Sequence, residues 1–165
     1  MLIIFFCAGV SPKPKVINNN AHFPCGKCDY IVKGYHNDGN KLNIQPGQVI
    51  CLDASLSYKT IKFSNIKGTP EHPIIIRNCG GVAFIAEGLR FERCENFKLV
   101  GDGDPDIKYG IKVSTKKSFF VTFEMFTTDF EMSRVEVAGL NKNGVGENSG
   151  FAGDGIKTSP YQDCE

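Results

Sequence analysis

The chain has no tryptophan, three histidines and three methionines, and its formal net charge is only +1 over 165 residues. With 19 basic residues against 18 acidic ones, there is no global pull toward nucleic acid or an anionic membrane. Nucleic acid is therefore not an expected partner, and any electrostatic preference must come from local arrangement. No apolar run approaches the roughly 20 residues that span a bilayer, so no membrane span is expected. Zinc is disfavoured as well. Cys25-Gly26-Lys27-Cys28 needs a second half-site or a histidine pair, and His22, His36 and His72 do not stand at matching spacing. Nor does this CxxC precede a strand–helix pattern of the thioredoxin kind. What is abundant points to short strands and tight turns: 18 glycines, 13 phenylalanines and 41% hydrophobic residues, with very little helix expected. A chain of this length fits one domain and is expected as a monomer.

The first residues read as an export leader. Leu2 to Phe6 form a compact apolar run followed by Cys7, Ala8 and Gly9, then Ser-Pro-Lys-Pro-Lys. The run lacks the basic start of a full secretory signal, as the remnant of a longer signal does. A lipid-bearing Cys7 is the alternative, with the bulky Phe6 against it. Residues 1–15 are assigned to this leader, 16–41 to a lead-in or cap, and 42–165 to the repeating body. A secreted or cell-surface location follows. Cys25, Cys28, Cys51, Cys79, Cys94 and Cys164 form an even set after the leader, compatible with disulfides in an oxidising compartment. For Cys25 and Cys28, a local bridge or two free thiols is expected.

The strongest signal is a set of short alternating strands recurring every 22 to 25 residues, the range of repeat solenoids. Val49-Ile50-Cys51-Leu52-Asp53, Ile74-Ile75-Ile76-Arg77-Asn78 and Phe97-Lys98-Leu99-Val100-Gly101 form one series. Alternation across a strand predicts one inward column of Ile50, Ile74 and Phe97 and another of Leu52, Ile76 and Leu99, with Val135 and Val137 continuing both. A second series falls between: Ile61-Lys62-Phe63, Leu89-Arg90-Phe91, Ile111-Lys112-Val113 and Ile156-Lys157-Thr158. Two interleaved series at one period predict an all-β chain in which each coil holds at least two strands facing different ways. Corners are expected at Gly80-Gly81, Asn96, Gly101, Gly103 and Gly139, where left-handed backbone angles are tolerated, and Asn78 is a candidate for a turn ladder. An antiparallel sandwich is the competing architecture, but its strands recur every 8 to 12 residues or so. Phe119 to Phe126 forms a phenylalanine-rich strand without a counterpart, read as core or lateral packing, or alternatively as an exposed aromatic strip.

From Ile66-Lys67-Gly68-Thr69-Pro70-Glu71-His72-Pro73 through Ile74-Ile75-Ile76-Arg77-Asn78-Cys79-Gly80-Gly81, the chain resembles right-handed parallel β-helix proteins of the pectate lyase-like superfamily. Glu92 to Gly103 and Tyr109 to Val113 look like the next coil in secreted bacterial members, and Pro46-Gly47-Gln48-Val49-Ile50 like the turn that opens the first. The resemblance covers about Leu42 to Pro160. It implies a right-handed parallel β-helix, here its N-terminal coils, and a polysaccharide as partner. It does not specify an activity, because the superfamily includes lyases, hydrolases, epimerases, tailspikes and proteins of no known reaction. Ile156-Lys157-Thr158-Ser159-Pro160 enters a new coil and no capping helix follows, so further coils are expected beyond Glu165.

Between the inward residues of the second series stand Lys62, Arg90, Lys112 and Lys157, which stacking would turn into a column of cations about 4.8 Å apart. Neighbours at that spacing repel by about 1–3.5 kcal/mol. An anionic polysaccharide is one reason to keep such a column; the other reading is that long solvated side chains splay apart near Glu87 and Glu92. Asp102, Asp104 and Asp106 alternate like the acidic residues of a calcium loop, but Ile107 and Val113 occupy the glycine and glutamate positions of an EF-hand. A Ca2+ site at a coil edge, shared with another loop, and a solvated acidic turn are the two alternatives. The glycine-rich stretch from Gly139 to Gly155, with Glu147, Asn148 and Asp154, is a candidate ligand loop.

By resemblance, β-elimination would need calcium or a basic residue against the uronate and a lysine or arginine as base. Hydrolysis would need paired carboxylates. Neither set maps residue by residue, so no catalytic residue is assigned. The leading expectation is an exported domain that engages carbohydrate, as the start of a polysaccharide lyase or glycosidase acting on an anionic polysaccharide. The alternative is a non-catalytic structural or adhesive solenoid.

Overall fold

The computed structural model describes residues 26–115, 121–139 and 156–158, and all the regular structure among them is β-strand. The strands form two parallel sheets. In the first, the order is β1 (Tyr30–Ile31), β3 (Val49–Asp53), β5 (Ile74–Cys79), β7 (Glu95–Val100) and β10 (Thr128–Ser133). The second contains β2 (His36–Asp38), β4 (Tyr58–Ser64), β6 (Ala83–Glu92), β8 (Ile111–Thr115) and β11 (Val135–Gly139) in a row. β9 (Val121–Glu124) pairs with β6, and β12 (Ile156–Thr158) with β9. The chain alternates between the sheets from β1 to β8, so hydrogen-bonded neighbours are one full alternation apart. Among the described residues, sheet pairing is already present at Tyr30, in the segment assigned to a lead-in or cap.

Alternation along each strand does the sorting. In β4, Ile61 and Phe63 are fully buried while Lys62 between them is not, and Leu89, Arg90 and Phe91 repeat the pattern in β6. Buried residues of both sheets merge into one core that includes Ile50, Ile74, Ile76, Leu99, Ile111 and Val113. At its centre, Phe91 stacks on Phe63 with ring centroids 5.4 Å apart, on Phe123 at 5.2 Å and on Phe97 at 4.8 Å. Phe130 extends the stack from Phe97 and Phe123. Phe123 is thus the in-register successor of Phe91, so the phenylalanine-rich segment does have a counterpart. Phe126 is exposed.

The register differs in detail from the periodic reading. Ile50 pairs with Ile76, not Ile74, while Ile74 pairs with Phe97 and Ile76 with Leu99. A slip of two residues keeps every side chain on its own face, so the inward set is unchanged. Val135 and Val137 belong to the second sheet beside Ile111 and Val113; the first sheet continues instead through Phe130 and Met132.

Corners use left-handed backbone at Asn65, Arg93 and Met125, with φ of 53°, 54° and 50°. Each follows a paired residue of one column, Ser64, Glu92 and Glu124. Side chains tie the corners together: Asn65 donates to Asp38 at 3.1 Å and Arg93 to Asn65 at 3.3 Å. Asn96 and the Gly80-Gly81 pair are left-handed as expected, whereas arginine and methionine fill corners that residue type alone assigns to glycine or asparagine. Asn78 is buried and bridges turns, donating to the Gly81 carbonyl and accepting from the Gly103 N–H.

Cys28 is bonded to Cys51, 23 residues away, so no local bridge joins it to Cys25. Cys79 is also disulfide-bonded. A link closing a loop of that length stabilises a fold by about 3 kcal/mol through the unfolded chain. Among the described residues no helix is long and apolar enough to cross a membrane.

Phe91 touches three other rings, so Phe91→Ala should destabilise the protein by about 3–5 kcal/mol. Phe84→Ala, at a half-exposed site, should stay within about 1 kcal/mol. Urea denaturation of the two variants compares them directly.

Candidate functional site

The outer face of the second sheet carries two neighbouring columns of polar side chains. His36 pairs with Lys62, Lys62 with Arg90 and Arg90 with Thr122. Two residues along each strand, Asp38 pairs with Ser64, Ser64 with Glu92 and Glu92 with Glu124. A mainly basic column therefore runs beside a mainly acidic one, with about 4.8 Å between successive members of each.

The columns neutralise each other in places. The Lys62 ammonium lies 2.6 Å from Glu92 Oε1, and Glu92 is nearly buried. Arg93 approaches the other Glu92 oxygen at 3.9 Å. At the other end, His36 Nε2 sits 2.8 Å from the Ser64 hydroxyl, which donates to Asp38 at 3.2 Å. These three residue types make a nucleophile only when the carboxylate orients the imidazole. Here Asp38 holds the serine instead, and Ser64 is buried. Arg90 differs from its neighbours: it is exposed, and its side chain makes no hydrogen bond or ion pair among the described residues.

The four cations expected to form one column divide. Lys62 and Arg90 are adjacent and in register. Lys112 is not in their column: β6 is long enough to pair with β8 along its first half and β9 along its second. Lys112 therefore sits between Phe84 and Glu136, forming an ion pair with Glu136 at 2.8 Å. Lys157 is in register with Thr122, which returns its backbone to the Arg90 column; its side chain lies outside the described features.

The acidic turn is occupied by its own contacts. Asp102 pairs with Arg77 at 3.0 Å, and the buried Asp104 accepts from the Asp106 N–H. Among the described residues no group of three or more His, Cys, Asp or Glu is placed to hold a metal ion. Asp102, Asp104 and Asp106 are thus not brought together as a Ca2+ cage. The Gly139 to Gly155 loop lies outside the described residues beyond Gly139 itself. Cys94 is excluded as a nucleophile, because burial pushes its thiol up to about 11 and leaves it protonated at neutral pH.

His36, Asp38, Ser64 and Glu124 were not singled out by the sequence pattern. The available signal was parity: Ser64 stands two residues from Lys62 along β4 and His36 directly beside Lys62 in β2, while Asp38 and Glu124 stand directly beside Ser64 and Glu92 in paired strands.

Asp38 provides a pH test. Burial pushes its carboxyl up, but the Lys41 and Asn40 N–H groups and the Asn65 and Ser64 side chains outweigh this and hold it below the ordinary aspartate value. A lowered folded pKa stabilises the fold above the ordinary value, and the contribution vanishes as pH falls through the folded one. Asp38→Asn should therefore lower the urea midpoint at pH 7, and the gap from wild type should narrow as pH falls below the ordinary aspartate value. Compared with known proteins, the chain matches no family model, no curated protein and no solved structure.

Proposed function

We propose that the chain forms coils of an exported right-handed parallel β-helix that engages an anionic polysaccharide across the outer face of its second sheet. Support for the architecture comes from strands that alternate between two parallel sheets and pair one alternation apart. The Cys28–Cys51 bond supports export, since disulfides persist in oxidising compartments. The polymer reading rests on one observation: among the described residues the exposed Arg90 side chain has no partner, whereas the neighbouring Lys62 is already matched by Glu92.

Arg90 offers a planar fork of donors to a sugar carboxylate. Lys62 beside it, and His36 and Glu124 further along the two columns, supply contacts to hydroxyls. In the enzymatic form of this reading, a polysaccharide lyase or glycosidase, Glu92 and Glu124 are the carboxylates of interest, since they stand one strand apart on the same face and hydrolysis uses such a pair. The second reading, a structural or adhesive solenoid, is favoured by the ion pairs that neutralise Lys62 and Lys112.

Affinity electrophoresis at low salt in gels containing pectate, alginate or chondroitin sulfate separates the two. The polymer reading expects retardation by at least one gel, weakened about tenfold or more by Arg90→Glu and little changed by Lys112→Glu. Free migration of wild type in all three, or equal retardation of wild type and Arg90→Glu, sinks it in favour of the structural solenoid.

A further inference from the structure

On the first sheet, away from the Arg90 strip, the register creates a cleft. Ile74, Phe97 and Phe130 are paired and open the apolar part of three neighbouring strands. Just before them come the corner residues Asn96 and Asp129, both left-handed, with φ of 49° and 51°. In those two strands the chain passes from corner to strand without a pause. In the strand before, Thr69 to Pro73 intervene between Gly68 and Ile74. Gly68 must be glycine here, because a Cβ would collide with the Asn96 carbonyl. The five-residue excess cannot enter the sheet and stands off it as a wall.

That wall is stiff. Thr69 and His72 exchange backbone hydrogen bonds at 3.2 and 3.1 Å, the Thr69 hydroxyl accepts from the His72 N–H, and Pro70 and Pro73 restrict the chain on either side. Opposite the wall lies Phe130, 36% exposed and held in place by stacking on Phe97 and Phe123. Asn96, Asp129 and the ion-paired Lys98 and Glu131 complete the rim. The cleft is open to solvent, and its volume is about 140 Å³, well below the roughly 300–1,000 Å³ of drug-sized pockets.

We infer that this cleft binds one neutral pyranose ring of a glycan. The size admits a single ring. A pyranose packs its C–H face on an aromatic surface and turns its hydroxyls to the side, which matches Phe130 flanked by an amide, an ammonium and two carboxylates. One cation against two anions disfavours a uronate, so the ligand class differs from the one proposed at Arg90. The inference shares the carbohydrate reading but stands on separate residues and a separate sheet.

The test titrates cello-, manno-, galacto- and xylo-tetraose into the wild type and follows amide shifts by NMR. Saturable binding of at least one, with Kd of about 1 mM or tighter and shifts centred on Thr69–Pro73, Asn96 and Phe130, is expected. Phe130→Leu keeps an apolar side chain under the stack and should weaken binding about tenfold; Asp129→Asn and Pro70→Gly should also weaken it. Arg90→Glu should leave it unchanged while weakening retardation by the anionic polymer, which separates failure at one site from failure at the other. Binding that survives Phe130→Leu undiminished, or no saturable shift with any of the four sugars, overturns the inference.

Discussion

Parallel pairing in register is the constraint on which the other features depend. It places residues of the same parity on the same face of every neighbouring strand, so whatever fills the interior at one level must find something compatible directly above and below. Phenylalanine meets that demand with flat rings that stack at about the strand spacing, and the Phe63, Phe91 and Phe123 series does so along the second sheet. Phe97 and Phe130 answer from the first sheet, so the ring stack joins the two sheets. Each ring excludes water from its neighbours.

The same constraint acts outside, where it is less forgiving. Like charges are stacked whether or not the sequence benefits, and the chain relieves this by offsetting them. Lys62 leans diagonally to Glu92 rather than facing Arg90 alone, and Lys112 meets Glu136 on the next strand. The outer face is consequently a mosaic of matched pairs, within which an unmatched side chain such as Arg90 stands out chemically. Corner geometry is subject to the same pressure. Arg93 accepts a left-handed backbone, which costs a non-glycine residue about 1–2 kcal/mol, and in that position bonds both to Asn65 and to the Met125 sulfur.

Parity was legible in the sequence; register was not. Ile74 and Ile76 are both buried, so the apolar pattern accepts either as the partner of Ile50, and the structure pairs Ile50 with Ile76. β10 escaped notice because Thr128 to Glu131 lack an apolar alternation and are exposed, even though the strand continues the first sheet beside β7. Lys112 was placed beside Arg90 for a related reason: nothing in Ala83 to Glu92 announces a strand long enough to serve two partners. The outer columns could be guessed one strand at a time, but the pairing of Lys62 with Glu92 and of Ser64 with His36 depends on which strands are neighbours. Contacts across strands are a product of register, and a single sequence with uneven loops does not encode register locally.

The Cys28–Cys51 bond also has a mechanical meaning. Parallel strands at the end of a stack are easily peeled, because a pull along the chain breaks their hydrogen bonds one after another. The bond turns the chain between the two cysteines, β1 and β2 included, into a closed loop that a pull from the N-terminal side cannot lengthen. Such a load passes through the sulfurs directly to β3, which is paired on both sides, and is borne by several strands sheared together.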